Sequence, residues 1–355
     1  MRDNKLYLSI DSCKPGMATA EAVYNQYGGV ILWDNTVLDE RSIEHLKNMG
    51  IISLLVYEGS LSDVGNEPQD WAITHDVQSF NIKYEQDVHN IKKALNDVSS
   101  GKRLDKEVTD NIVGELVRKS EENRNIVNSV MQVRTIDEYT YYHSLNVSML
   151  SMLIARWMNL DEKMVKDCTE AGLLHDVGKA RIPIEILNKP GKLTESEFAE
   201  IKRHSEYGYM IVNDNHNIDP AISIAVLTHH EKEDGSGYPF GLTGDKTELI
   251  AKIISVSDIF DAMTANRFYK YKDTPFKVFE LMQHGSFGVL NPQVLAAFLE
   301  NITNYYIGAM VRLNTGEIGE VVFMNRFDFS KPVVRVDDKF IDLAVSKTAN
   351  IVEFL

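Results

Sequence analysis

The stretch Leu173–Leu174–His175–Asp176–Val177–Gly178–Lys179 decides how this chain is read. Its apolar lead-in places His175 and Asp176 at the inner side of a helix. A neutral imidazole suits Fe, Mn, Zn or Ni, and a carboxylate can bridge two cations. Lys179 follows His175 by four residues, so the two side chains are expected on one helical face. A buried Asp and a buried Lys are costly without partners, and a metal centre supplies one. The plain alternative is a chance His–Asp pair at a helix end.

Moving outward, the ten histidines are unevenly spread: His143, His175, His204, His229 and His230 all fall in the helical middle of the chain. Ala225–Val226–Leu227–Thr228–His229–His230–Glu231 ends an apolar helix in two adjacent histidines. They can reach one metal together, or the second can turn towards a substrate. The loop Asp234–Gly235–Ser236–Gly237–Tyr238–Pro239 joins flexible glycines to a stiff Tyr–Pro, and its plain reading is a surface turn. In Ser255–Val256–Ser257–Asp258–Ile259–Phe260–Asp261–Ala262–Met263–Thr264, Asp258 follows an apolar run and is placed to close a ligand set. Asp261 shares its helical side. Arg267 and Lys270 share a face by their spacing and suit phosphate, although a solvated basic surface is the simpler reading.

The chain of 355 residues is long enough for two or three domains. Three textures divide it. Residues 1–82 hold short β-like runs at Leu6–Ile10, Gly29–Trp33 and Ile51–Val56 around a short helix at Asp39–Met49, a small α+β module. Residues 83–135 read as a helical linker, with stripes at Val108, Ile112, Val113, Leu116 and Val117 and at Ile126, Val127, Val130 and Met131, after a break at Ser99–Ser100–Gly101. Residues 136–305 are helical, punctuated by prolines. Residues 306–355 hold five strand-like runs, Met310–Leu313, Ile318–Phe323, Val333–Val336, Phe340–Val345 and Ile351–Leu355, expected as a small barrel or curled sheet.

Composition narrows the function. Lys+Arg number 37 against 52 Asp+Glu, a net charge of −15, which argues against duplex nucleic acid or a membrane surface as partner. Cys13 and Cys168 are too few for a disulfide framework or a thiolate zinc cluster. The most apolar stretch, Val147–Met158, is too short for a bilayer span and carries Arg156. The N-terminus lacks the apolar core of a signal peptide, so a cytoplasmic location is expected.

The three motifs together, His175–Lys179, His229–Pro239 and Asp258–Thr264, resemble an HD-GYP phosphodiesterase domain over about 139–299. Residues 1 to about 65, with Lys14–Pro15–Gly16–Met17, and the tail from Gly308 resemble modules often found before and after such domains. The resemblance implies an all-α catalytic domain flanked by a small N-terminal α+β module and a small C-terminal β-barrel-like extension. It implies hydrolysis of cyclic di-GMP to pGpG, with some members continuing to GMP. Carried over by position, His143, His175 and Asp258 would hold one metal, His204, His229 and His230 a second, and Asp176 would bridge them. The metals would be iron or manganese. A metal-bridged hydroxide would attack phosphorus in line. Lys179 would sit near the scissile phosphate, with Arg267 and Lys270 as the phosphate-binding pair.

Members with a third metal carry a Glu where this chain has Tyr139, so a dinuclear site is expected. Leu290–Asn291–Pro292 stands where the family often has Phe–Asp–Pro, and only a local packing or capping effect is expected there. Two alternatives stay open: a 3′,3′-cyclic GMP-AMP phosphodiesterase, or a catalytically weak cyclic-dinucleotide sensor. The stripe at Val108–Val117 suits a helix pair in a homodimer.

Overall fold

A computed structural model describes residues 5–24, 30–32, 36–49, 51, 53–57, 72–122, 139–264, 274–285 and 288–354. The chain divides into two compact units, residues 1–79 with 302–355, and residues 80–301. The two flanking segments thus share one unit, and the expected linker at 83–135 falls in the other, with the histidine-rich middle of the chain.

In the first unit, β1 (Lys5–Ser9) pairs antiparallel with β4 (Ser53–Tyr57), and β2 (Val23–Tyr24) with β3 (Val30–Leu32). Helix α1 (Glu40–Asn48) starts where the Asp39 carboxylate accepts a 2.7 Å hydrogen bond from Ser42 N, which satisfies one of the free donors of the first turn. Leu8, Ile10, Ile31, Leu38, Leu46 and Val56 form its core. The C-terminal strands are β5 (Met310–Leu313), β6 (Ile318–Phe323), β7 (Val333–Val336), β8 (Lys339–Asp342) and β9 (Ile351–Phe354). They form one antiparallel sheet in the order β8-β7-β6-β5-β9. That order places β8 and β9 at opposite edges, and among the described residues the sheet is not closed into a barrel. β8 stops before the expected Val345 because Asp342 turns the chain: its carboxylate accepts from Ala344 N at 2.9 Å. His45 of α1 joins the two segments, with Nε2 3.3 Å from Gly308 O and Nδ1 3.4 Å from Glu320 Oε2.

The second unit is helical. Its elements are α2 (Ala72–Ser99), α3 (Lys106–Glu122), α4 (Tyr139–Trp157), α5 (Glu162–Leu174), α6 (Ile184–Leu187), α7 (Glu195–Lys202), α8 (His204–Asn213), α9 (Pro220–Thr228), α10 (Leu249–Thr264), α11 (Pro275–Gly285) and α12 (Pro292–Ile302). Helix α2 begins within the first unit and ends at Ser99, the first residue of the expected break at Ser99–Ser100–Gly101. Asp219 caps α9 with Pro220 in its first turn, and Thr194 with Glu197 forms a capping box on α7.

The apolar run of α4 is the centre of this core: Leu145, Val147, Met149, Leu150, Met152, Ile154 and Ala155 are fully buried against α5 and α10. No helix among the described residues is long and apolar enough to cross a membrane. Helix α3 packs on α5, and Ile112, Val113, Leu116 and Val117 are buried within the chain. This corrects the expected use of that stripe: the apolar face that suited a helix pair between two chains is covered internally. The second stripe, at Ile126–Met131, lies outside the described residues.

Candidate metal centre

Five elements converge on one point. Helix α4 brings His143, the end of α5 brings His175 and Asp176, α8 opens with His204, α9 ends at His229 and His230, and α10 carries Asp258. His143, His175, Asp176, His204 and His229 are buried, while His230 and Asp258 are partly exposed.

Three imidazoles are aimed by the same local device. Nδ1 of His175 lies 2.8 Å from Gly172 O, that of His204 2.7 Å from Ile201 O, and that of His229 2.7 Å from Val226 O. A carbonyl can only accept, so each Nδ1 carries the proton and each Nε2 keeps its lone pair. His143 is held differently. Its Nδ1 meets Asp261 Oδ2 at 2.8 Å, its Nε2 meets Asp258 Oδ1 at 3.1 Å, and Asn146 Nδ2 donates to Asp261 Oδ1 at 2.9 Å.

The donor atoms fall into two groups, His143–His175–Asp258 and His204–His229–His230, each with its ligand atoms within 4.8 Å of one another. Asp176 stands between them. Its Oδ2 is 3.3 Å from His175 Nε2 and 3.6 Å from His143 Nε2, while its Oδ1 is 3.4 Å from His204 Nε2. The buried Nε2 of His175 has no hydrogen-bond partner. A buried acceptor left in that state is costly, and a cation is the group that the surrounding donors fit.

The electrostatics point the same way. Burial lowers the basicity of His204, His229 and His230, the last to about 3, so these rings are neutral at pH 7 and free to ligate. Burial alone would lower His143 as well, but the hydrogen bonds to Asp258 and Asp261 outweigh it and carry it up to about 10. Burial opposes ionisation of Asp176 and Asp258, yet Lys179 and the histidines around them keep both ionised.

Lys179 is not on the helical face of His175. Helix α5 ends at Leu174, and Val177–Arg181 form a tighter 3₁₀ turn. In such a turn residues i and i+3 eclipse, so Lys179 Nζ donates to Asp176 Oδ2 instead. Gly178 permits that turn: a Cβ there would lie 1.8 Å from His204 O. Gly237 also lies close to the end of α9, its hypothetical Cβ 2.5 Å from His230 O. The loop is therefore pressed on the site. Tyr238 packs its ring on His230, centroids 4.6 Å apart at 31°.

Four supporting residues carry more weight than the sequence reading assigned them. Asp261 and Asn146 orient His143, and each lies three residues from a ligand candidate on its own helix, a spacing visible in the sequence. Glu231 is buried and accepts from Phe240 N at 2.7 Å and Leu242 N at 2.8 Å, which ties down the loop carrying Tyr238. Asn291 caps α12 through Oδ1 and donates Nδ2 to Glu233 Oε1 at 3.1 Å, a bond that an ionised Asp could not make. Arg267 and Lys270, and the side chain of Tyr139, lie outside the described residues.

Comparison with known proteins gives a consistent picture. The HD domain family matches residues 118–289. A cyclic di-GMP phosphodiesterase of Pseudomonas aeruginosa is 33% identical over 272 residues, 77% of this chain and 66% of the relative. A 3′3′-cGAMP-specific phosphodiesterase of Vibrio cholerae is 37% identical over 175 residues, 48% of this chain and 39% of the relative. The chain thus spans from over a third to just under two thirds of these relatives' lengths. In fold, it is similar to a solved protein of Bdellovibrio bacteriovorus described as an HDG"Y"P protein, with a TM-score of 0.52 at 16% identity over 83% of this chain and 98% of that one.

Proposed function

Since the chain belongs to the HD domain family, we propose that it is a metal-dependent phosphodiesterase that hydrolyses cyclic di-GMP to the linear dinucleotide pGpG. The observation that carries this reading is Asp176, one oxygen turned to each of two histidine-rich triads. His143, His175 and Asp258 would hold one divalent cation and His204, His229 and His230 the other, with Asp176 shared. Imidazoles with carboxylates suit iron or manganese. When bound, such a pair supplies Lewis acidity to the phosphodiester and lowers the pKa of the attacking water.

The chain's own groups do the rest. The carbonyl-anchored histidines hold their lone pairs inward without reorganisation. Asp261 and Asn146 fix the ring of His143. Lys179, already beside Asp176, is placed to offer its ammonium to a non-bridging phosphate oxygen as charge develops there. Arg267 and Lys270 are proposed as further phosphate contacts. With tyrosine at 139, two metal ions per chain are expected, and three would overturn the dinuclear reading. Two buried free thiols, Cys13 and Cys168, suit a reducing compartment such as the cytoplasm.

Turnover of cyclic di-GMP by iron- or manganese-loaded protein, with product identification, tests the reading. The expected product is pGpG, or GMP if a second cleavage follows, and Asp176→Ala is expected to abolish it. Metal-loaded protein without turnover would leave a binding sensor. The Vibrio relative supports a second reading, 3′,3′-cyclic GMP-AMP as substrate, and parallel assays decide between them.

A further inference from the structure

The rings at the centre continue outward to a cation. His229 and His230 have centroids 4.0 Å apart, His230 and Tyr238 4.6 Å apart, and Lys202 Nζ lies 5.4 Å from the Tyr238 centroid. The same ammonium lies 4.8 Å from the Phe198 centroid. Lys202 is half-buried at the end of α7.

Its charge is unanswered. Lys189 pairs with Glu197 and Arg203 with Glu200, but among the described residues Lys202 has no carboxylate within ion-pair distance. Two ring faces attract an ammonium weakly and do not neutralise it. Lys179 contrasts with it, since its ammonium is already paired with the Asp176 carboxylate. The centre therefore has a neutralised cation on Asp176 and an unneutralised one on the His204–His229–His230 side, beyond Tyr238.

A cyclic dinucleotide carries two phosphodiesters in one ring. When one is at the metals, the other must rest beyond them and still carries its charge. We propose that Lys202 binds this second, non-reacting phosphodiester. The inference rests on the phosphodiesterase reading above and assigns Lys202 a binding role in it. A compact ammonium with three donors suits a phosphate oxygen as a point charge.

The test compares two substrates on metal-loaded protein. Cyclic di-GMP has two phosphodiesters, and bis(p-nitrophenyl) phosphate has one. Lys202→Ala is expected to raise KM for cyclic di-GMP about tenfold, the loss of one charged hydrogen bond, with kcat and metal content little changed. KM for bis(p-nitrophenyl) phosphate is expected to stay within about twofold, and Lys202→Arg to restore most of the cyclic di-GMP affinity. The rise should be equal for 3′,3′-cyclic GMP-AMP, because only the bases differ.

Equal losses on both substrate types would place Lys202 at the reacting group or in the scaffold and overturn the proposal. An unchanged KM for cyclic di-GMP, or unequal effects on the two dinucleotides, would also overturn it. Wild-type protein active on bis(p-nitrophenyl) phosphate but on neither dinucleotide would instead defeat the proposed substrate. Calorimetric titration of the same dinucleotides into wild type and Lys202→Ala then decides Lys202 on its own: weaker binding by the variant supports it, and equal binding overturns it.

Discussion

Asp261 accepts the Nδ1 proton of His143 at 2.8 Å while standing one helical turn beyond Asp258, which meets Nε2 of the same ring at 3.1 Å. One imidazole is thus gripped at both nitrogens by two carboxylates of α10. The outer carboxylate sets the ring's orientation, and the inner one shares the metal side.

Replacing Asp261 with Ala removes that orienting partner and frees Asn146. Such partners of ligating histidines typically contribute ten- to a hundredfold in metal affinity. We expect a loss of roughly that size in titrations of metal-free protein, with the far-ultraviolet circular dichroism unchanged. Full affinity would show that His143 is fixed by packing alone.

Gly178→Ala should be harsher than its size suggests. The added methyl would meet His204 O and Gly208 N, both backbone atoms that cannot rotate away. An overpacking cost of about 1–3 kcal/mol follows, together with displacement of His204. Thermal unfolding and metal content should both fall. A variant that keeps its metal and its Tm would mean that the 3₁₀ turn shifts freely.

Glu231→Gln tests the loop anchor. Both carboxylate oxygens accept backbone protons, and a glutamine must turn a donor towards one of them. The cost is about 1–3 kcal/mol. Amide exchange at 234–243 should quicken, and KM should rise through misplacement of Tyr238. Unaltered exchange would remove Glu231 from this role.

A pH effect is expected far from the metals. Burial raises the Glu170 carboxyl above its ordinary value, against the pull of Lys106, 3.2 Å away. An acid with a raised folded pKa contributes stability that is fully present below its unfolded value and lost as pH rises through the folded one. The unfolding midpoint of wild type relative to Glu170→Gln should therefore move in favour of wild type as pH falls from 7 towards 5. Movement in the opposite sense would mean that the Lys106 pair outweighs burial.

Much of the candidate site was legible from residue types and order. Five histidines beside helix-forming sequence, with Asp176 and Asp258, drew attention because imidazoles and carboxylates on apolar lead-ins are hard to explain as packing. Asp261 and Asn146 were legible in principle, through their three-residue offsets. Lys179 was misplaced because the sequence shows no sign that α5 stops at Leu174, and a change from 3.6 to 3.0 residues per turn changes which side chain it meets. The dimer stripe failed for a similar reason: an apolar face announces burial without naming what covers it.

By itself, the sequence determined the helical character of the middle segment, the strand-like character of the tail and the set of groups able to ligate a metal, because these depend on local periodicity and side-chain chemistry. The division of those groups across Asp176 was already implied by the resemblance to HD-GYP domains, whereas only the tertiary structure decided that the flanking segments form one unit and that Lys202 lies over Tyr238. Residues 143 and 261, or 202 and 238, come together through the close packing of several helices. That packing depends on the summed shapes of many side chains, which no single stretch of sequence carries.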